Sequence, residues 1–316
     1  MHTKNILLLA AVATGLALSA CRGNKPGSCQ CLLPPGATTG APTASTNTAA
    51  PQIFQVRGVV KEVRAADREV VIKHEEIPGY MAAMTMPFDV KDAKELDGLA
   101  PGDTVNFRMN VTATDGWIDQ IKVLDRGVAD TAKPEVPSVR VVRDVDELHE
   151  GDAMPDYPFV TESRRPVRLS DFKGQALGLT FLYTRCPYPT FCPRQSRQFA
   201  EACAQLKQLL PGPQKRWHLL AISFDPAYDT PAVLHRYAQQ YGADPAWLNF
   251  CTGEMIDIDA ITEQFGTFFA RDGEGFSHNV RTVVVDATGH IQRILMGNEW
   301  KTADFVAEMV KAAAAK

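Results

Sequence analysis

Residues 176–194 read ALGLTFLYTRCPYPTFCPR. The first seven carry no charge and are mostly apolar, as in a strand buried on both faces. Cys186 and Cys192 follow, separated by five residues that include Pro187 and Pro189, with Pro193 directly after. Helical periodicity then runs from Arg194 to Leu210, where Pro211-Gly212 stops it. A buried strand, a cysteine-bearing loop and a helix, in that order, predict an α/β domain. The rest of 151–316 agrees. A strand is expected over 217–224. A helix opens at Asp229-Thr230-Pro231, with a capping residue and a proline in its first turn. Leu234, Tyr237, Ala238 and Tyr241 mark its buried face, and Gly242 ends it. Strands over 280–285 and 291–296 flank Asp286-Ala287-Thr288-Gly289, a hairpin signal. A last helix starts at about Thr302.

The cysteine loop is the first chemical site. A thiol at a helix start meets unpaired N–H groups and the positive end of the dipole, which favours a thiolate at Cys192. Arg185 and Arg194 add positive charge. Such a pair can exchange disulfides or clamp a soft metal; a purely structural disulfide is the plainer alternative.

Upstream, 53–126 reads as short strands over 54–63, 68–74, 84–88, 104–111 and 117–124. In 104–111, Val105, Phe107, Met109 and Val111 alternate with Asn106, Arg108 and Asn110. Pro101-Gly102-Asp103 and Thr114-Asp115-Gly116 are turn signals. Five short strands predict a small all-β barrel of OB type. Residues 74–86, HEEIPGYMAAMTM, form the second chemical site. Met84 and Met86 point to one side of a strand, and the Pro78-Gly79 turn can bring His74 beside them. Two thioethers and an imidazole suit Cu(I) or Ag(I) better than Zn²⁺ or Mg²⁺. The alternative is that the methionines fill a core.

The first twenty residues read as a signal peptide. Its end, Leu18-Ser19-Ala20-Cys21, resembles a bacterial lipobox, which implies a lipid on Cys21; an ordinary cleaved signal is the alternative. Residues 21–52, rich in Pro, Gly, Thr and Ala, read as a flexible tether. Its Cys29-Gln30-Cys31 either binds a soft metal or is incidental. Residues 127–150 read as a second linker. Among 316 residues, 45% are hydrophobic, which is ample for packed cores, and the formal net charge of −4 argues against a nucleic-acid partner. Seven cysteines with one close pair do not form a dense disulfide scaffold. Cys203 and Cys251 read as small core residues. His235 reads as solvated on its helix, and His149, His218 and His290 carry no pattern.

Residues 151–312 resemble the Sco/SenC family of thioredoxin-like proteins, through Gly151-Asp152-Ala153-Met154-Pro155, Leu169-Ser170-Asp171-Phe172-Lys173-Gly174, Ser223-Phe224-Asp225-Pro226-Ala227-Tyr228-Asp229-Thr230-Pro231 and Ser277-His278-Asn279. The resemblance implies that Cys186, Cys192 and His278 hold one copper ion, with Asp225 an acidic neighbour of that site. The family's cysteines are three residues apart, against five here, and Ser277 stands where an Asp is frequent. Residues 53–125 resemble CusF-type periplasmic copper-binding domains, which implies His74, Met84 and Met86 as ligands. The family's Trp position falls on Met81, so either Met81 is a third thioether ligand or Tyr80 covers the site. The resemblances imply a lipid-anchored copper metallochaperone on the periplasmic side of a bacterial membrane. It would bind Cu(I) or Cu(II) and pass copper to a partner such as cytochrome c oxidase subunit II for CuA assembly. A thiol–disulfide oxidoreductase that keeps target cysteines reduced is the alternative.

Overall fold

The computed structural model describes residues 50–127, 145–212, 214–272 and 275–315. The lipobox with Cys21, the Cys29–Cys31 stretch and most of the 127–150 segment lie outside the described residues. Ala49–Lys316 is one compact unit holding two principal sheets.

The first sheet is antiparallel. It contains β1 (Gln52–Arg64), β2 (Glu69–His74), β3 (Met84–Asp89), β4 (Thr104–Val111) and β5 (Gly116–Asp125), ordered β3-β2-β1-β4-β5. All five expected strands are present. β1 is long because it serves two neighbours, pairing with β4 through Gln52–Val59 and with β2 through Gly58–Arg64. A register shift between Val60 and Glu62 bends it, as bulges do. The edge strands curl together until Val90, just beyond β3, bridges Ile118 of β5. Val60, Val70, Ile72, Phe88, Val105, Phe107, Met109 and Ile118 fill the interior with no exposed surface.

The second portion comprises β6 (Pro158–Thr161), β7 (Pro166–Arg168), β8 (Ala176–Leu182), α1 (Cys192–Leu209), β9 (Trp217–Ser223), α2 (Pro231–Gln240), β10 (Leu248–Thr252), α3 (Met255–Gln264), β11 (Phe269–Asp272), β12 (Gly275–His278), β13 (Arg281–Val285), β14 (Ile291–Met296) and α4 (Thr302–Ala312). Its seven-stranded sheet runs β14-β13-β8-β9-β10-β6-β7. β8, β9 and β10 are parallel, with α1 and α2 as crossovers. Every residue of β8 and β9 is buried, which explains their near-continuous apolar sequence. β13–β14 is the expected hairpin; Asp286 Oδ1 accepts from the Thr288 and His290 N–H groups. The architecture is an α/β thioredoxin-like domain preceded by a small β-barrel.

Two helix starts differ from expectation. α1 begins at Cys192 rather than Arg194, with proline tolerated in its first turn. Thr230 is the N-cap of α2, but its side chain makes no capping bond. The preceding Asp229 turns inward instead and accepts from Thr184 and Ser223. The small hairpin β11–β12 leaves the main sheet and lies beside β3 of the barrel.

Asp89, at the end of β3, is half-buried and faces Glu299; burial first, then that carboxylate, pushes its pKa up to about 6. The folded state therefore binds a proton that the unfolded chain has released, and stability falls as pH rises from about 4 through 6. Asp89→Asn is expected to raise the denaturation midpoint at neutral pH, with the gain vanishing below about pH 4. Urea unfolding of both proteins across that range checks this.

Candidate metal centre

β8 ends at Leu182 and delivers Cys186 on the loop beyond it, while α1 starts at Cys192. His278 comes from the far end of β12, set by its register opposite Phe269. These distant segments converge: one sulfur from each cysteine and one ring nitrogen of His278 lie within 4.8 Å of one another. Cys192 Sγ is 3.9 Å from His278 Nε2. The His278 ring is held among Tyr183, Phe191 and Phe224. Its Nδ1 lies 3.0 Å from the Asn279 carbonyl. A proton on that nitrogen leaves Nε2 with a lone pair aimed at the sulfurs.

The expected thiolate moves from one cysteine to the other. Cys192 is fully buried, and burial together with its bond to Cys186 pushes its thiol well up. Cys186 is held well below the usual thiol range, first by the Cys192 thiol and then by His278 and the Cys192 backbone N–H. The helix-start N–H thus does act on a sulfur, but across the turn. Tyr183, whose hydroxyl burial keeps protonated, also bonds to Cys186. Neither arginine supplies a free charge. Arg185 donates to Asp225 at 2.6 Å, and Arg194 pairs with Glu299 at 3.3 Å. Asp225 is buried between Arg185 and Arg271, so it fixes the residue preceding Cys186.

In the barrel, His74 sits opposite Met84 and Ile72 opposite Met86, so His74, Met84 and Met86 share one face. All three are buried, as is Met81, which bridges back to Ile77. His74 repeats the pattern of His278: its Nδ1 lies 2.7 Å from the next carbonyl, that of Glu75. Its Nε2 is buried with no hydrogen-bond partner among the described residues. Burial holds this imidazole below the usual range, hence neutral. A buried lone pair beside two thioethers fits a soft cation. Tyr80 stacks on Phe54 and donates to the Pro187 carbonyl at 3.1 Å.

Members of both clusters line one cavity, although His74 and Cys192 are not among its lining residues. It measures about 20 Å³, and its lining includes Met81, Met84, Met86, Tyr183, Cys186 and His278; that is room for roughly one water-sized occupant. The five-residue spacing between the cysteines serves this seam. Tyr188, 2% exposed, leaves the α/β portion and packs into the barrel core, edge-on to Phe88. The carbonyls of Pro187, Pro189 and Thr190 accept from Tyr80, Arg197 and Asn298. Two glycines make room. A Cβ on Gly116 would sit 2.8 Å from the Tyr188 ring, and one on Gly275 2.2 Å from the Met84 methyl. Asp272 also accepts from the Thr85 N–H at 2.7 Å. Tyr188, Asp272 and Gly275 carried no sequence signal; their roles exist only across the seam.

The remaining candidates lie elsewhere. His218 is buried against Asn249, and burial holds it down to about 4. His235, His149 and His290 are exposed. Cys203 and Cys251 are buried in the α/β core, and burial raises both thiols.

Comparison with known proteins follows the same division. Residues 145–315 match the SCO1/SenC family model, and residues 53–123 match the model of the copper binding periplasmic protein CusF. A Stutzerimonas stutzeri protein named for copper binding is 29% identical over 147 residues, which cover 44% of this chain and 67% of that one. The SCO2-like protein of Rickettsia felis is 26% identical over 145 residues, 42% of this chain and 64% of that one. The chain thus spans about two thirds of these relatives' length. The solved SCO1/SenC family lipoprotein from Bacillus anthracis is 20% identical, with a TM-score of 0.46 over 51% of this chain and 95% of that one.

Mild alkylation of the reduced native protein is expected to label Cys186 before Cys192, Cys203 and Cys251, because the thiolate reacts and the other three are buried protonated thiols. Peptide mapping over time checks the order. Tyr188→Ala is expected to destabilise by about 3–5 kcal/mol. Tyr188→Phe should be neutral or slightly stabilising, since the buried hydroxyl finds no partner among the described residues. Denaturant titration separates the two.

Proposed function

Because the chain belongs to the SCO1/SenC family, we propose that it is an extracytoplasmic copper metallochaperone whose cargo is held at two sites. The observation that carries this is the convergence of Cys186, Cys192 and His278 within 4.8 Å. Two sulfurs and an imidazole suit Cu(I), and hold Cu(II) with one further ligand. His74, Met84 and Met86, with Met81 as a third thioether, make up the second site. Thioethers bind without losing a proton, so that site holds Cu(I) over a wide pH range. Asp225 acts on the cysteine site through Arg185, by fixing the loop that carries Cys186.

A lipid on Cys21 tethers the protein to the periplasmic side of a bacterial membrane, and the tether lets the folded unit reach a membrane-bound client. The client is a copper-receiving protein of the type of cytochrome c oxidase subunit II, loaded at CuA. Delivery is ligand exchange: client sulfurs and imidazoles replace Cys186, Cys192 and His278 one at a time, with no turnover chemistry.

One observation favours a second reading, a thiol–disulfide oxidoreductase. Cys186 is partly accessible with a lowered pKa, while Cys192 is buried with a raised one. That is the asymmetry of an attacking and a resolving thiol.

Chelator competition with Cu(I) under anaerobic reducing conditions distinguishes the two, using the full chain with Cys29→Ser and Cys31→Ser. Two coppers per chain are expected, falling to one in Cys186→Ser/Cys192→Ser and to one in Met84→Leu/Met86→Leu. A single copper that survives the cysteine change would make the pair a redox centre instead.

A further inference from the structure

The two donor clusters occupy different portions of the chain, yet their side chains line the same small cavity. Met81, Met84 and Met86 lie on its barrel side, and Cys186 and His278 on the other. At about 20 Å³ the space suits a single small occupant. Its walls are apolar and aromatic: Pro87, Pro187, Tyr188, Phe191 and Phe276 surround the donors. The seam is also fixed. Tyr188 is seated in the barrel core, Asp272 is bonded to the β3 backbone, and Gly275 leaves space for the tip of Met84. The barrel therefore sits against the cysteine site in a set orientation.

Resting on the copper reading above, we propose that the clusters are two stations of one internal path. A Cu(I) ion held by Met84 and Met86 passes directly across this cavity to Cys186, Cys192 and His278, without entering solvent. Bonds from copper to the thioether sulfurs break as bonds to the cysteine sulfurs form. Any thiol proton of the cysteine pair is released to buffer as the copper–sulfur bonds form, and copper remains Cu(I), so no electron donor or acceptor is needed. Direction follows from donor strength, since thiolates hold Cu(I) more tightly than neutral thioethers. Met84 reaches across the seam, its methyl lying in the space above Gly275. Copper captured at the barrel is thereby committed to the site from which it is delivered.

The test uses the full chain carrying Cys29→Ser and Cys31→Ser, so that tether thiols bind no copper. The Cys186–Cys192 pair is oxidised to a disulfide, one equivalent of Cu(I) is loaded at the barrel anaerobically, and a phosphine then reduces the disulfide. The ultraviolet thiolate-to-Cu(I) band reports arrival. Its growth rate is expected to change by less than about twofold on tenfold dilution of protein, as an intramolecular step requires. A Cu(I) chelator too weak to strip the barrel should intercept none of the metal. Gly275→Ala, which removes no donor but crowds the Met84 tip, should slow arrival about tenfold or more. As a reference, copper-loaded Cys186→Ser/Cys192→Ser is mixed with empty Met84→Leu/Met86→Leu, where transfer must occur between molecules and scale with concentration. Growth that slows with dilution, or copper captured by the chelator, overturns the path while leaving both sites standing. Failure of either double variant to bind copper at its remaining site overturns the two-site reading, and the path with it.

Discussion

Tyr188 leaves the loop between the two cysteines and buries its ring beside Phe88, inside a core built by a different sheet. The consequence for the metal centre is mechanical. A loop of five residues that must reach into the barrel at its middle has little freedom at its ends, and its ends are Cys186 and Cys192. Three of its carbonyls are hydrogen-bonded to groups outside the loop, and Arg185 ahead of it is held by buried Asp225. The distance between the sulfurs is thus set by packing on both sides, and two sulfurs can stand close without a covalent bond between them.

The two histidines solve one problem in the same way. Each places Nδ1 near the carbonyl of the next residue; His278 then turns Nε2 toward Cys192, and His74 keeps a buried Nε2 with no hydrogen-bond partner among the described residues. The local bond selects the tautomer, so the ligand atom is ready before any ion arrives. Burial keeps His74 neutral, which removes competition from a proton. At the cysteine pair the surroundings lower the Cys186 thiol and raise that of Cys192. Cys186 is therefore the sulfur more readily offered to an incoming cation as a thiolate.

Much of this was legible in the sequence because it rests on periodicity. The five barrel strands, β8, β9, β13, β14 and α4 all carry an alternating, continuous or helical apolar pattern that local residues suffice to produce. What escaped was short or governed from a distance. β6, β7, β11 and β12 have three or four residues each, too few to show a period, and β10 and α3 went unassigned. The donor residues were legible as chemical types at motif spacing. Their convergence was not, since no local signal links Met84 to a cavity lined by His278. The expectation of a thiolate at Cys192 rests on the helix-start N–H acting on its own side chain, whereas that N–H also bonds the opposite sulfur and lowers the Cys186 thiol. The five residues between the cysteines, against three in the family, have their cause in the pocket that Tyr188 enters.

Gly275 and Gly116 each make space for a side chain from the other portion of the molecule, one for Met84 and one for Tyr188. The fit is reciprocal, like two castings finished against each other. The barrel and the α/β portion are therefore not interchangeable cassettes. A barrel grafted from elsewhere would need a glycine to receive Tyr188, and a foreign α/β partner would need one to admit Met84. Recombination that shuffled either half alone would leave two folded bodies and no shared chamber between them.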